Sequence, residues 1–232
     1  PYLHFVGNVG GEDVYRLLGR EELRTARVES DAKLRLMRPE HDNTATERKL
    51  IVAAGEPGVV APYRLFVKTD SASFERNGLL VSTTWKVSVF AYETDPRENV
   101  DQWRKEAAAN AVAFETADLR LHYRSGGPSD LGDGVPPTVR NANLPRDRFG
   151  TFAETSLRFP RGRWTVRTTS DDGVRVWIDD ALRIDNWTHH APAVDEATFP
   201  VDTDTPVKVR VEHFELDGYA MLAVEFEPAR EK

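Results

Sequence analysis

The stretch TTSDDGVRVWIDDALRIDNW, residues 168–187, carries the clearest structural pattern of the chain. Within residues 174–178 the apolar side chains occupy every second position, which is the period of a strand with one buried face. Asp171, Asp172 and Gly173 come directly before that strand and predict a tight acidic turn. The stretch as a whole therefore predicts a turn, a strand, a hairpin and a second strand.

The two adjacent carboxylates allow a conformational and a chemical interpretation. Neighbouring side chains of an extended segment point to opposite faces, so Asp171 and Asp172 converge on one point only if the backbone turns sharply. An oxygen-rich turn of that kind suits a hard cation such as calcium. An Asp-Asp-Gly β-turn is also common for purely conformational reasons. Both interpretations stay open on residue types alone.

The composition limits what the protein can be. The chain has 232 residues, 40% of them hydrophobic and 30% charged, which is enough for one large β domain or two small ones. No apolar run approaches the roughly 18 residues that a membrane span needs, so we expect no transmembrane segment. The net charge of -7 argues against nucleic acid, because phosphate binding depends on Lys and Arg.

The absence of cysteine excludes disulfides, thiolate metal sites and cysteine nucleophiles. The chain begins at Pro1 with no charged and apolar leader, so we expect a processed product or a part of a longer chain.

Residues 1–84 predict a β-rich N-terminal region to which no chemistry can be assigned. Short apolar runs recur about every dozen residues, separated by Gly and Pro, a pattern typical of a sandwich or barrel. The segment from Glu12 to Leu18 is compatible with one or two turns of helix. Residues 85–232 form the second predicted domain.

One short helix is predicted near the start of the second domain. Asp95 can cap it, Pro96 suits its first position, and Glu98 has the capping-box spacing. An apolar stripe suited to packing on a sheet follows at Val100, Trp103, Ala107 and Ala111.

The rest of the second domain reads as a long loop followed by strands. Residues 125–145 are rich in Gly, Pro, Asn and Asp and predict the loop. The last two apolar alternations, on either side of Asp217 and Gly218, predict a hairpin with its tip at these residues.

One part of the chain closely resembles the signature of the PA-fourteen domain, the β-barrel module named after the anthrax protective antigen. It comprises Ser170 to Asp179 and then Ile184, Asp185, Asn186 and Trp187. Residues 162–166 and 207–214 also look like strands of that family. The clear resemblance covers about Phe149 to Pro228. It implies an all-β fold, an antiparallel sandwich or barrel with one short helix.

The resemblance implies a carbohydrate-binding or adhesion-type module. In lectin members of the family, two consecutive loop aspartates bind calcium, and the calcium binds sugar hydroxyls. By position those aspartates are Asp171 and Asp172. Vicinal hydroxyls can replace water in the flexible oxygen shell of calcium, so this transfer is chemically sound.

The chain departs from the lectin pattern in one important place. Lectin members add an Asn from the loop between two late strands, but this chain has no Asn after Asn186. Asp217 is the nearest substitute, so the predicted metal ligands are Asp171, Asp172 and Asp217. Gly173 and Trp187 complete the predicted ligand-binding set, because Trp187 can stack on a sugar ring.

The sequence favours a non-catalytic function. No Ser-centred elbow, Gly-rich phosphate loop or His-Glu helix motif is present. We expect an extracytoplasmic module that binds carbohydrate, with Ca²⁺ as its cofactor. Two alternatives stay open: a structural or docking domain of a larger protein assembly without ligand binding, and the accessory domain of a carbohydrate-active enzyme.

Overall fold

The computed structural model describes residues 1–230, and over that range the chain forms two compact units. Unit 1 comprises Pro1–Thr83 together with Leu157–Pro160. Unit 2 comprises Thr84–Ser156 and the chain from Arg161 onward. Both units consist of antiparallel sheets, so the all-β prediction is confirmed.

Unit 1 contains seven strands in two sheets. The strands are β1 (Tyr2–Val9), β2 (Glu12–Leu18), β3 (Leu23–Glu29), β4 (Leu34–Met37), β5 (Glu47–Ala54), β6 (Val59–Thr69) and β7 (Ser73–Ser82). The sheet orders are β1-β2-β5-β4 and β3-β6-β7. Leu17, Leu50, Leu65 and Leu80 are fully buried in the core of this unit.

The helix considered for Glu12–Leu18 is wrong, because this segment is strand β2. It lies between β1 and β5, so its backbone groups are paired on both sides, and Tyr15 and Leu17 enter the core. Seven residues are too few for periodicity to separate a short helix from a buried strand.

Unit 2 contains ten strands and two short α-helices among the described residues. The strands are β8 (Trp85–Ala91), β9 (Val112–Thr116), β10 (Arg120–Arg124), β11 (Phe149–Leu157), β12 (Gly162–Asp171), β13 (Val174–Ile178), β14 (Ala181–Asn186), β15 (Ala193–Val201), β16 (Val207–Glu215) and β17 (Ala220–Pro228). They form a six-stranded sheet in the order β14-β13-β16-β11-β8-β9 and a four-stranded sheet in the order β10-β17-β12-β15. The hairpin predicted within residues 168–187 is β13 and β14, and its turn places Asp179 and Asp180 at positive φ.

Helix α1 (Val100–Asn110) begins four residues later than predicted. Asn99 caps it by accepting a hydrogen bond from the Gln102 amide at 3.0 Å. Asp95 instead closes the preceding turn, where it accepts from the amide and side chain of Arg97. The predicted packing is observed, since the Trp103 ring contacts Phe90 and Phe152 on the six-stranded sheet.

Helix α2 (Pro137–Arg140) and a short 3-10 helix (Gly127–Asp130) lie within the segment predicted as one long loop. Each is only four residues long, too short for a periodic pattern in sequence. Neither α-helix within residues 1–230 has the length and apolarity of a membrane span.

The hairpin predicted for the last two strands is wrong. Strand β16 pairs with β13 in the six-stranded sheet, whereas β17 pairs with β12 and β10 in the four-stranded sheet. Leu216–Tyr219 therefore crosses from one sheet to the other. Alternating apolar residues report which face of a strand is buried, and they do not report which strand lies beside it.

Candidate functional site

Asp171 and Asp172 lie where the chain crosses from the four-stranded sheet to the six-stranded sheet of unit 2. Asp171 is the last residue of β12, and β13 begins at Val174. The peptide bond between the two aspartates is cis. Both residues are buried, with 6% of Asp171 and none of Asp172 exposed.

Gly173 allows this crossing to pass close over the ring of Phe214. A Cβ atom on Gly173 would lie 2.1 Å from Phe214 Cε1, so no other residue fits without movement. The Phe214 amide also donates to the Gly173 carbonyl at 3.0 Å. A glycine is therefore required at position 173 by packing against Phe214.

The Asp172 carboxylate holds two other loops in place. Its Oδ2 accepts from the Leu216 amide at 2.9 Å, which fixes the second crossing between the sheets. Its Oδ1 accepts from the His190 amide at 2.9 Å, which fixes the loop after β14. Three segments distant in sequence thus meet at one carboxylate.

Glu215, the last residue of β16, completes a cluster of three carboxylates. One oxygen each of Asp171, Asp172 and Glu215 lies within 4.8 Å of the other two. Glu215 is fully buried, and neither of its oxygens has a hydrogen-bond partner among the described residues. Such an arrangement of buried acids is costly unless a cation or protons neutralise it.

The pKa values of the cluster reflect this cost. Burial, followed by the charges of Asp172 and Asp171, raises the pKa of Glu215 to about 9. Burial and then the charge of Asp172 raise the pKa of Asp171 to about 6. Burial also raises the pKa of Asp172, although its two backbone hydrogen bonds act in the opposite direction. Glu215 therefore holds a proton at neutral pH unless a cation replaces it.

Two buried side chains orient the backbone of the cluster. His213 is fully buried, and burial lowers its pKa to about 4, so its ring is neutral. Its Nε2 lies 2.9 Å from the Asp171 carbonyl, to which it donates. The Tyr92 hydroxyl donates to the Glu215 carbonyl at 2.6 Å.

All three carboxylates lie in a segment that a family model recognises. Residues 138–232 match the model described as PA14 domain. This part of the chain is a PA14 domain. The compact unit that contains this segment also includes β8, α1, β9 and β10, which precede the matched residues.

Solved structures similar to the chain include PA14 domains. The PA14 domain of an antifreeze protein is 12% identical and covers 63% of this chain and 84% of its own, with a TM-score of 0.49. A PA14 sugar-binding domain from an RTX adhesin is 15% identical and covers 62% of this chain and 89% of its own, with a TM-score of 0.47. An anti-sigma factor domain-containing protein from Clostridium clariflavum is 16% identical and covers 94% of this chain and 80% of its own, with a TM-score of 0.47. None of the curated proteins compared with the chain matches it.

Asp217, predicted as the third metal ligand of the PA14 domain, lies in the crossing after β16. Its side chain is 75% exposed, and its Oδ1 is 3.6 Å from His189 Nε2. It does not belong to the cluster of mutually close carboxylates, in which Glu215 is the third member. The geometry therefore favours Glu215 over Asp217 as a ligand.

Trp187, predicted as a sugar-stacking residue, is partly buried and has several protein contacts. It packs edge-to-face against Phe214 and Trp103 at centroid distances of 4.7 and 5.4 Å. The Arg175 guanidinium lies 4.6 Å from the ring centroid, and the indole nitrogen donates to the Pro96 carbonyl at 3.0 Å.

The sequence does contain a signal for Glu215. Val207, Val209, Val211 and His213 alternate on the buried face of β16, and Glu215 continues the same phase. A carboxylate in phase with four core residues is either neutralised or functional, because isolated buried charge is costly. The alternation from Val207 to His213, continued by two residues, reaches Glu215.

Proposed function

We propose that unit 2 is a non-catalytic carbohydrate-binding module that contacts its ligand through a calcium ion held by Asp171, Asp172 and Glu215. The observation that carries this proposal is the carboxylate cluster, whose Glu215 oxygens are buried and without a hydrogen-bond partner among the described residues. Buried carboxylates of this kind are normally paired or bound to metal.

The chemistry of the cluster supports calcium over other ions. Calcium takes six to eight oxygen ligands at about 2.3 to 2.6 Å, so oxygens on opposite sides of the ion are about 4.8 Å apart. The separations in the cluster fall within that limit. No histidine nitrogen belongs to the cluster within the described residues, whereas zinc and copper sites usually include nitrogen or sulfur.

The position of the cluster supports a polyhydroxylated ligand. Three carboxylates provide only part of a calcium shell, and vicinal hydroxyls of a sugar can supply the remaining oxygens. The crossing loop beside the cluster exposes Asp217 and Tyr219, which offer an acceptor and an aromatic ring. We place the module outside the cytoplasm, where calcium-binding modules typically have weak affinity, about 10⁻⁴ to 10⁻³ M.

The proposal can be tested by titrating the whole chain with calcium and by probing a glycan array with and without EDTA. We expect calcium to bind and glycan signal to depend on it. Asp172→Asn should abolish both, and the exposed Asp180→Asn serves as the matched control that leaves both intact. Glycan binding that persists in EDTA and in Asp172→Asn would contradict the proposal.

A docking function is a second candidate, favoured by the first strand of unit 1. Strand β1 is the edge of its sheet, and Tyr2, Phe5, Val6 and Val9 on it are 44 to 59% exposed. An apolar edge strand is a site for pairing with another chain. Copurification of a stable partner, lost on Val6→Lys, together with no calcium binding, would favour this function.

A further inference from the structure

A groove runs over the outward face of the six-stranded sheet, beside α1. It consists of two adjoining depressions of about 420 and 350 Å³, which share Lys86 and Glu154. None of the three clustered carboxylates lines either depression. The groove is therefore a separate feature from the calcium site proposed above.

The groove is more basic than the chain as a whole. Its cationic side chains are Lys86, Arg104, Lys208 and Arg210, and its carboxylates are Glu154 and Glu212. Glu212 is 4% exposed and is already occupied by Arg104. A net positive groove on a chain with a net charge of -7 concentrates anionic ligands locally.

Two of the cations are held in fixed positions. Arg104 forms two parallel hydrogen bonds to Glu212, from Nε and Nη2, at 3.0 and 2.9 Å. The Arg210 guanidinium lies 4.2 Å from the centroid of the Trp177 ring. Side chains fixed in this way lose less conformational freedom on binding.

The remaining positive charge is available to a ligand. Within residues 1–230, Lys86, Lys208 and Arg210 form no ion pair within 4.0 Å. Lys86 and Lys208 are exposed, and Ser88 and Ser156 also line the groove.

The strands that form the groove disfavour an extended peptide as the ligand. Strands β8, β11 and β16 each have a hydrogen-bonded neighbour on both sides, so none can accept an added strand. Recognition must therefore occur through side chains alone. Separate cations spaced along a hydroxyl-lined surface match a polymer that carries repeated anionic groups and hydroxyls.

We propose that this groove binds a stretch of anionic polysaccharide through its carboxylate or sulfate groups, without calcium. Lys86, Lys208 and Arg210 contact the anionic groups, and Arg104 closes the end of the groove next to α1. The carboxylate of Glu154, which lies in register with Lys86, opposes binding.

The test is a calorimetric titration of the whole chain with a sulfated hexasaccharide of the heparin type, in EDTA and at low salt. We expect binding that weakens as salt is added, since exposed charges are screened. A neutral hexasaccharide, maltohexaose, should not bind. EDTA removes calcium, so it abolishes the glycan binding proposed for the carboxylate cluster. Binding that is measured in EDTA therefore belongs to the groove.

Variants make the test specific. Lys208→Gln and Arg210→Gln should each weaken binding by about threefold to tenfold, as expected for losing one charge-assisted contact. Glu154→Gln should strengthen it. Lys105→Gln, which removes an exposed charge from α1 outside the groove, is the matched control and should leave the affinity unchanged.

Three results would overturn the proposal: no binding in EDTA, an equal loss in Lys105→Gln and Lys208→Gln, or tighter binding of a hexaglutamate peptide than of the sulfated sugar. The first would exclude an anion site, the second would mean unspecific attraction, and the third would assign the groove to acidic peptides. Thermal unfolding of each variant shows whether the fold is intact, and the substituted Lys and Glu side chains are exposed.

Discussion

Glu215 carries two carboxylate oxygens that are fully buried and have no hydrogen-bond partner within the described residues. In the absence of a cation such a group destabilises the folded chain, because burial disfavours its ionised form. With calcium bound, the same oxygens become ligands. Removing the carboxylate should therefore stabilise the folded chain without calcium and destabilise it with calcium.

We predict opposite effects of Glu215→Gln in EDTA and in calcium. In EDTA at pH 8 the free energy of unfolding should rise by about 1 kcal/mol or more, since an unfavourable buried carboxylate is lost. In calcium the stabilisation of about 2.7 kcal/mol expected at 100 times the Kd should disappear. Urea unfolding under both conditions measures the two values.

Glu225→Gln is the control for that experiment. Glu225 pairs with Arg120 on the surface with a side chain 48% exposed, so its loss should cost less than about 0.5 kcal/mol and leave the calcium response unchanged. A Glu215→Gln variant that retains the full calcium response would exclude Glu215 as a ligand.

The raised pKa values also predict how stability depends on pH without metal. The pKa of Glu215 rises from 4.5 to about 9, so between these values folded Glu215 holds a proton that the unfolded chain releases. Stability must then fall as pH rises through that range. Asp171 adds to the fall between its ordinary value of 3.8 and about 6.

Melting temperatures in EDTA at pH 5, 7 and 9 test this expectation. We expect the melting temperature to decrease with pH in the original chain and to decrease less in Glu215→Gln. Calcium affinity should increase over the same range, because calcium displaces protons from the carboxylates. A melting temperature that depends on pH in the same way in the original chain and in Glu215→Gln would show that the pKa of Glu215 is not raised in the folded chain.

The two crossings between the sheets of unit 2 form a single structural element at the site. One crossing contains Asp172 and Gly173, the other begins at Leu216, and the Asp172 carboxylate joins them. Gly173 determines how closely the first crossing approaches Phe214. The geometry of the carboxylates therefore depends on backbone packing that lies outside the cluster itself.

We predict that Gly173→Ala lowers stability and calcium affinity together. The added Cβ would approach Phe214 Cε1 to 2.1 Å, and overpacking of this kind costs about 1 to 3 kcal/mol. Because the crossing must move, Asp172 moves with it and the Kd for calcium should increase. Gly132→Ala, whose Cβ meets nothing within 4 Å, is the control and should change neither quantity. If Gly173→Ala is destabilised but binds calcium with unchanged affinity, the packing at Gly173 does not determine the geometry of the calcium ligands.

The division into two units has consequences for how the whole chain unfolds. Each unit has a core of its own, and the proposed calcium ligands all belong to unit 2. We propose that the units are separate domains that respond to different perturbations. Gly78 is a sensitive position in unit 1, because a Cβ there would lie 2.1 Å from Tyr63 Cζ.

We predict that Gly78→Ala and Asp172→Asn have complementary effects in the full chain. Gly78→Ala should destabilise unit 1 by about 1 to 3 kcal/mol and leave the calcium Kd unchanged. Asp172→Asn should abolish calcium binding and leave the unfolding of unit 1 unchanged. Scanning calorimetry with and without calcium, combined with calcium titration, measures both responses. A calcium Kd altered by Gly78→Ala would mean that the units are energetically coupled.

Several features of unit 2 could be read directly from its residues. Alternation within residues 174–178 predicted β13. The apolar stripe containing Trp103 and Ala107 predicted the packing of α1. The adjacent aspartates marked the place where two carboxylates converge. These signals are local, because side-chain direction follows from position along a strand or helix. The start of α1 was misplaced because Asp95 and Asn99 are both good caps, and sequence spacing does not rank them.

The pairing of strands and the membership of the site depend on contacts between residues far apart in sequence. The same alternation in β16 is compatible with a hairpin to β17 or with pairing to β13, and only the sheet arrangement distinguishes them. That arrangement buries Glu215 beside Asp171 and Asp172 while Asp217, two residues later, remains in solvent. Local pattern thus determines which face of a strand a carboxylate occupies, whereas its burial and its neighbours depend on which other segments cross over it.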